Sequence, residues 1–329
     1  MNQLSLLRSL LLACLLPAAA LADPVSEMAG FSVLGKVDPA ELAHGGVKTA
    51  AGAPMNTPRY LSVESAFVVP RSPGQVVQAM KRFDPTSHRE LKVYLHGDLG
   101  SSPTAAGFSK LQNPPGNSAV NALRSATEKM SADLQVSRAE AQKWAPGKSV
   151  FGFWTDLLEQ RAQQFASGGA RTEAPYDHIN AAVEPGRELS GLVRQQARIN
   201  KQFGGFLEAT GLLGGKGALK PDLYWELLEV EDDGVLTLGA SYTRGTSRGG
   251  YQVADGLYYA SGGYYVALTL YQLWPIDVGG KASTLVWRGD FISAASLGEL
   301  HGVERIASEG AMKKDISRAV SIFKRDAEQ

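Results

Sequence analysis

The sequence predicts an α+β protein: a curved antiparallel sheet wrapped around a long C-terminal helix and interrupted by a mostly helical insertion. Three observations predict it. Two-residue alternation marks strands in two separated stretches, within Leu61–Leu99 and within Asp222–Ser293. One long amphipathic pattern, Gly302 to Arg325, closes the chain. Between the two sets of strands, residues 109–220 carry helical spacing in patches.

The elements follow in order. Leu61 to Val69 (LSVESAFVV) sets Leu61, Val63, Phe67 and Val69 against Ser62 and Glu64, as a half-buried strand does. Pro70 stops it. Ser72-Pro73-Gly74-Gln75 then starts a helix, with Ser as N-cap, Pro at the first helical position and Gln completing a capping box. Val76, Val77, Met80 and Phe83 make one apolar stripe, and Asp84-Pro85 ends it, because the residue before a proline is pushed out of the helical region. Leu91 to Leu99 is the next strand. In the second half, Asp222–Glu231 and Gly234–Arg244 flank the turn Asp232-Asp233-Gly234, a hairpin signal. Further strands fall at Gly256–Tyr259, Tyr264–Trp274 and Ala282–Ser293, separated by Gly262-Gly263 and Gly279-Gly280. The closing helix puts Val303, Ile306, Met312, Ile316, Val320 and Phe323 mainly on one face. An antiparallel sheet needs at least one face covered, and this helix is the natural cover. The expectation is one sheet of six or seven strands, with Ile316 and Val320 buried against it.

The first 22 residues read as a signal peptide. Arg8 precedes the apolar run Leu10–Leu16, Pro17 breaks that run, and Ala20 and Ala22 are the small residues a signal peptidase needs. The segment Leu11-Leu12-Ala13-Cys14 is a weaker match to a lipid-anchoring signal. Export to the periplasm or the exterior is therefore expected, with N-terminal sequencing of the exported chain starting at Asp23. A lipid-modified Cys14 at the start would contradict it. Cleavage removes the only cysteine and leaves 32 basic against 33 acidic residues, so no disulfide or thiol chemistry is available. That charge balance offers no footprint for nucleic acid. No later segment is apolar enough to span a membrane. Residues 23–58, rich in Ala, Gly and Pro, read as a flexible leader, followed by the folded domain 59–329.

The order strand, helix, short helix, strand, then a run of antiparallel strands and a long final helix resembles the helix-grip fold of START-type lipid carriers and polyketide cyclases, the SRPBCC superfamily. The resemblance rests on Leu61–Leu99 and Asp222–Asp326. It implies a helix-grip cavity, enclosed by the curved sheet, for a hydrophobic small molecule or lipid. The chain departs from the family at the insertion, with helical patches at Ser118–Met130, Ser137–Trp144, Val150–Ala166 and Glu184–Thr210. The insertion is either a cap over a ligand mouth or a layer packed on the outer side of the sheet. It is also the surface for a possible envelope protein partner.

Catalytic motifs are sparse. His44, His88, His96, His178 and His301 show no metal-ligand spacing, so neither a metal nor a cofactor is expected. Gly211–Gly217 (GLLGGKG) lacks the preceding strand and the Lys-Ser/Thr ending of a phosphate loop and reads as a hinge. His96 and Asp98 in YLHGDL share a strand face and are a possible general acid–base pair, or simply a strand end facing water. Arg288 and Asp290 in VWRGDF have the same spacing. They form either an exposed ion pair, or an arginine free to bind an acidic headgroup. Eight Tyr and three Trp crowd residues 224–287. Alternation groups Leu285 with Trp287 and Phe291, and Tyr265 with Ala267, Thr269 and Tyr271. The expected ligand wall is Tyr265 and Tyr271, with Trp225 and Trp287 beside them and Arg288 as its charged member. The sequence thus points to an exported binding or carrier protein for a lipid-like molecule. A cyclase or aromatase using the same cavity, or an envelope interaction protein with a collapsed one, are the alternatives.

Overall fold

In the computed structural model, residues 23–301 and 303–328 are described, so residues 1–22, on which the expected signal peptide falls, Gly302 and Gln329 lie outside the description. Eight strands form one antiparallel sheet: β1 Val47–Ala51, β2 Tyr60–Val69, β3 Val93–Leu99, β4 Asp222–Val230, β5 Asp233–Gly245, β6 Tyr251–Ala260, β7 Val266–Val278 and β8 Lys281–Ser293. Their spatial order is β1-β2-β8-β7-β6-β5-β4-β3. The first long strand thus pairs with the last, Phe67 standing opposite Val286. The helices are α1 Pro24–Phe31, α2 Pro39–Ala43, α3 Pro73–Arg82, α4 Ser118–Lys129, α5 Arg138–Ala141, α6 Val150–Gly168, α7 Pro185–Arg194, α8 Ala197–Leu207, α9 Ala295–Glu299 and α10 Val303–Glu328. The α+β class and the long final helix on the sheet agree with the sequence.

Local chemistry accounts for the boundaries. At the start of α3 the Gln75 carboxamide accepts from the Ser72 backbone N–H at 3.0 Å, closing half of the capping box. Ser149 caps α6 through the N–H of Gly152 at 3.1 Å. The predicted continuous helix Glu184–Thr210 is two helices. Gln195 and Gln196 sit at the break, and their side chains bond Thr57 and the carbonyl of Ala53. Those tertiary bonds outweigh continuation of the helix, which helical spacing alone cannot reveal.

Both faces of the sheet are covered. α10 packs over β1, β2 and α3 on one face, with Ile316 7% and Val320 1% exposed. Val303 and Ile306, at 81% and 69%, are exposed at the start of that helix, so the predicted apolar stripe is buried only in its second half. The other face carries the larger core. There Ala66, Trp225, Leu238, Leu268, Trp287 and Phe291 pack against Trp154, Phe165 and Phe203 of the insertion. Of the two placements open to the insertion, the outer-side layer is the one observed. The Gly211–Gly217 loop is not a hinge: its carbonyls at Gly211 and Gly214 accept from Ala170 and Arg171, and it packs against Gly169.

Residues 23–58 are corrected from a leader to a part of the fold. Met28, Phe31, Leu34 and Leu42 are buried, and Val47–Ala51 adds the eighth strand beside β2. The anchor is polar as well as apolar. The Glu64 carboxylate accepts from Ser32 Oγ at 2.5 Å, from the N–H of Val33 at 3.1 Å and from the Trp287 indole N–H at 3.0 Å. Glu64 is buried, and desolvation holds its pKa above the ordinary carboxylate value. Ser32→Ala is expected to cost about 1–3 kcal/mol in urea unfolding, because it removes a donor from a buried carboxyl.

Candidate functional site

Strand alternation carries one row of polar side chains onto the α10 face. It runs from His96 and Asp98 on β3 through Tyr224 and Glu226 on β4, Ser241 and Thr243 on β5, and Asp255 on β6, to Tyr271 on β7 and Arg288 on β8. Because α10 lies chiefly over β1 and β2, the strands beyond them are left beneath a cavity of about 640 Å³. Its opposite wall is apolar, built from Val77 and Met80 of α3, Phe83 after it, and Val320 and Phe323 of α10. The Phe323 ring meets Phe67 edge-on at 6.5 Å and Phe83 at 5.9 Å. His88 stacks on Phe83 at 5.3 Å and bonds Asp326 at 2.7 Å, tying the turn after α3 to the end of α10.

The polar wall consists of three linked pairs. His96 Nδ1 lies 3.1 Å from Glu226, and its Nε2 is 3.4 Å from Asp98 at the solvent rim. The hydrogen bond to Glu226 raises the His96 pKa, a shift that burial opposes. The Tyr224 hydroxyl donates to Asp255 at 2.7 Å. Burial pushes the Asp255 carboxyl up to about 6, although the Tyr224 hydrogen bond opposes the shift. Arg288 forks onto Asp290, Nε to Oδ2 at 2.8 Å and Nη2 to Oδ1 at 2.6 Å, while its guanidinium lies 5.5 Å over the Tyr271 ring. Burial lifts the Tyr271 pKa to about 12. The pair His96–Glu226 and the pair Tyr224–Asp255 could each pass a proton to a bound molecule. Among the described residues no group of three or more His, Cys, Asp or Glu is arranged to hold a metal ion.

Of the residues predicted for the wall, Tyr271 and Arg288 line this cavity, as do His96 and Asp98. Trp225 and Trp287 do not, and their predicted place beside Tyr271 is corrected. Both are 0% exposed on the opposite face, where Trp287 meets Phe31 edge-on at 5.0 Å and Trp225 donates to the carbonyl of Gly107 at 2.9 Å. Tyr265 is also elsewhere. It precedes β7 and stacks on Tyr176 of the insertion at 6.2 Å, outside the stretch in which alternation fixes a side. Arg288 and Asp290 do pair on one face, but the pair is largely buried, at 18% and 9% side-chain exposure. Tyr224, Glu226 and Asp255 were missed. For Tyr224 and Glu226 the sequence carries a signal, since they alternate with the wholly apolar Leu223, Trp225 and Leu227.

Gly239 leaves room for Tyr224: a Cβ there would stand 2.2 Å from the ring's Cζ. Gly239→Ala is expected to displace the ring from Asp255 and cost about 1–3 kcal/mol through overpacking, measured as a lower thermal midpoint.

The chain matches no family model, no curated protein and no solved structure.

Proposed function

We propose that this protein is a binding or carrier protein for an amphipathic small molecule, held between α10 and the sheet. The observation that carries the reading is the cavity of about 640 Å³ with one apolar wall, Val77, Met80, Val320 and Phe323, facing a polar one. Pockets of this size suit a lipid-like or drug-sized molecule, with apolar lining supplying affinity and a few polar groups fixing orientation. The helix-grip resemblance supports the same reading, as does the expected export of the chain. Native mass spectrometry of protein purified from cells that make it tests the proposal. A one-to-one adduct released by organic solvent is expected. The bare chain mass alone, together with no uptake of a neutral hydrophobic probe, would overturn it in favour of a partner-binding role for the insertion.

A second reading is favoured by one observation, the two proton-transfer pairs on the same cavity wall. An enzyme of the cyclase or aromatase class would use them as general acid and base. The same measurement separates the two. A molecule of different mass held by Asp255→Asn than by the parent chain indicates conversion, and an identical mass indicates carriage.

A further inference from the structure

We infer that the cavity selects a basic amphiphile, an apolar body bearing a primary or secondary ammonium directed at Asp255. The inference rests on the binding reading above and adds the chemistry of the polar end.

It follows from which charges on the wall are already engaged. Arg288, among the described residues the one arginine lining the cavity, places Nε and Nη2 on the two oxygens of Asp290, and Asp290 also accepts from Thr269 at 3.1 Å. Its charge is thereby matched, and a fork held this way has little left for an acidic headgroup. Lys81 is engaged by Asp222 at 2.8 Å near the rim. His96 lies between Glu226 and Asp98. Lys220 and Asp98 stand near the solvent side, Asp98 with 93% of its side chain exposed.

Asp255 differs from all of these. Its neighbours across the sheet are Ser241 on β5 and Thr269 on β7, both neutral. Among the described residues its one hydrogen bond comes from the Tyr224 hydroxyl, and no cation is bonded to it, since Arg288 and His96 act on it only through space. A carboxylate accepts through four lone-pair sites, so a second donor can be placed on it without displacing Tyr224. With its pKa near 6 it is mostly ionised at pH 7.5 and asks for positive charge. An ammonium there forms a charge-assisted hydrogen bond in a partly dry site, whereas a carboxylate or phosphate would meet like charge from Asp255 and Glu226.

The test is a competition at pH 7.5 between a neutral fluorescent probe, N-phenyl-1-naphthylamine, and n-decylamine, n-decanol or n-decanoate. Equal chain length isolates the headgroup. Decylamine is expected to displace the probe at concentrations at least tenfold below decanol, with decanoate weakest. Asp255→Asn keeps an acceptor for Tyr224 but removes the charge, and should erase the amine preference, so that decylamine and decanol displace the probe alike. Tyr224→Phe, which frees Asp255, should keep or increase the preference. Equal displacement by all three compounds, a preference for decanoate, or an amine preference that survives Asp255→Asn would overturn the inference while leaving the binding reading intact. Failure of the probe itself to bind would instead remove the binding reading.

Discussion

Arg161→Met is expected to lower the unfolding free energy by about 3–5 kcal/mol, the cost of stranding buried charge when one partner of an ion cluster is removed. Arg161 on α6 is 0% exposed at the centre of the insertion. Its Nη2 reaches Glu140 at 2.7 Å, its Nη1 reaches Glu173 at 3.2 Å and the carbonyl of Ala174 at 3.0 Å, and its guanidinium lies 4.4 Å from the Tyr259 ring centre on β6. The cluster therefore joins the insertion to the sheet. Burial drives the Glu173 pKa up to about 8, against the opposing pull of Arg161. The sign follows from linkage. A carboxyl whose folded pKa lies above its unfolded value binds more protons when folded, so its contribution to stability falls as pH rises from about 4.5 to about 8. Glu173→Gln should flatten that decline in urea midpoints measured from pH 5 to 8, and should leave the protein no less stable at pH 8. A Glu173→Gln variant that loses stability at pH 8 would show that the ionised pair is the native state.

Val320→Asp is the second large effect, about 3–5 kcal/mol, because it places an unpaired carboxylate in the contact between α10 and the sheet. Val320 is 1% exposed and belongs to the core formed by Val63, Phe67, Val76, Val253 and Val286. Val303→Asp on the same helix, at 81% exposure, should stay within about 0.5 kcal/mol of the parent. The pair of variants measures which half of α10 holds the sheet. Equal melting of both would mean that the helix is not a core element.

The contrast between those two valines also shows how much was legible in the sequence. The long helix, the strands and the α+β class follow from periodicity, which is a property of local geometry. Where along the helix the contact begins is not, because Val303 and Val320 belong to the same stripe. The same limit applies to the sheet. Alternation states that Leu285, Trp287 and Phe291 share a face, and that Tyr271 and Arg288 take the other parities of their strands. It does not say which face holds a cavity. The expectation that Trp287 stands beside Tyr271 in one wall fails because this sheet is covered twice, by α10 on one side and by the insertion with residues 24–43 on the other. The apolar set lies in the larger of the two cores. Residues 23–58 depart from the expected leader for a related reason. Their low periodicity hides short helices whose stability comes from Met28, Phe31 and Ser32 reaching distant parts of the fold. Asp255 was beyond reach of spacing arguments, since its partner Tyr224 lies two strands away in the sheet.

Trp154, Trp225, Trp274 and Trp287 all pack in the layer opposite the cavity, and Trp144 borders it. Intrinsic tryptophan fluorescence would report on the insertion and not on the ligand, so an external probe is required. The most direct measurement is equilibrium titration of N-phenyl-1-naphthylamine against the parent chain and Thr243→Trp, which fills the cavity from β5 without touching the opposite layer. The proposed site predicts saturable one-to-one binding at micromolar protein by the parent chain, and a loss of at least tenfold in affinity for Thr243→Trp at unchanged thermal midpoint. Equal binding by the two proteins, or none by the parent, would contradict it.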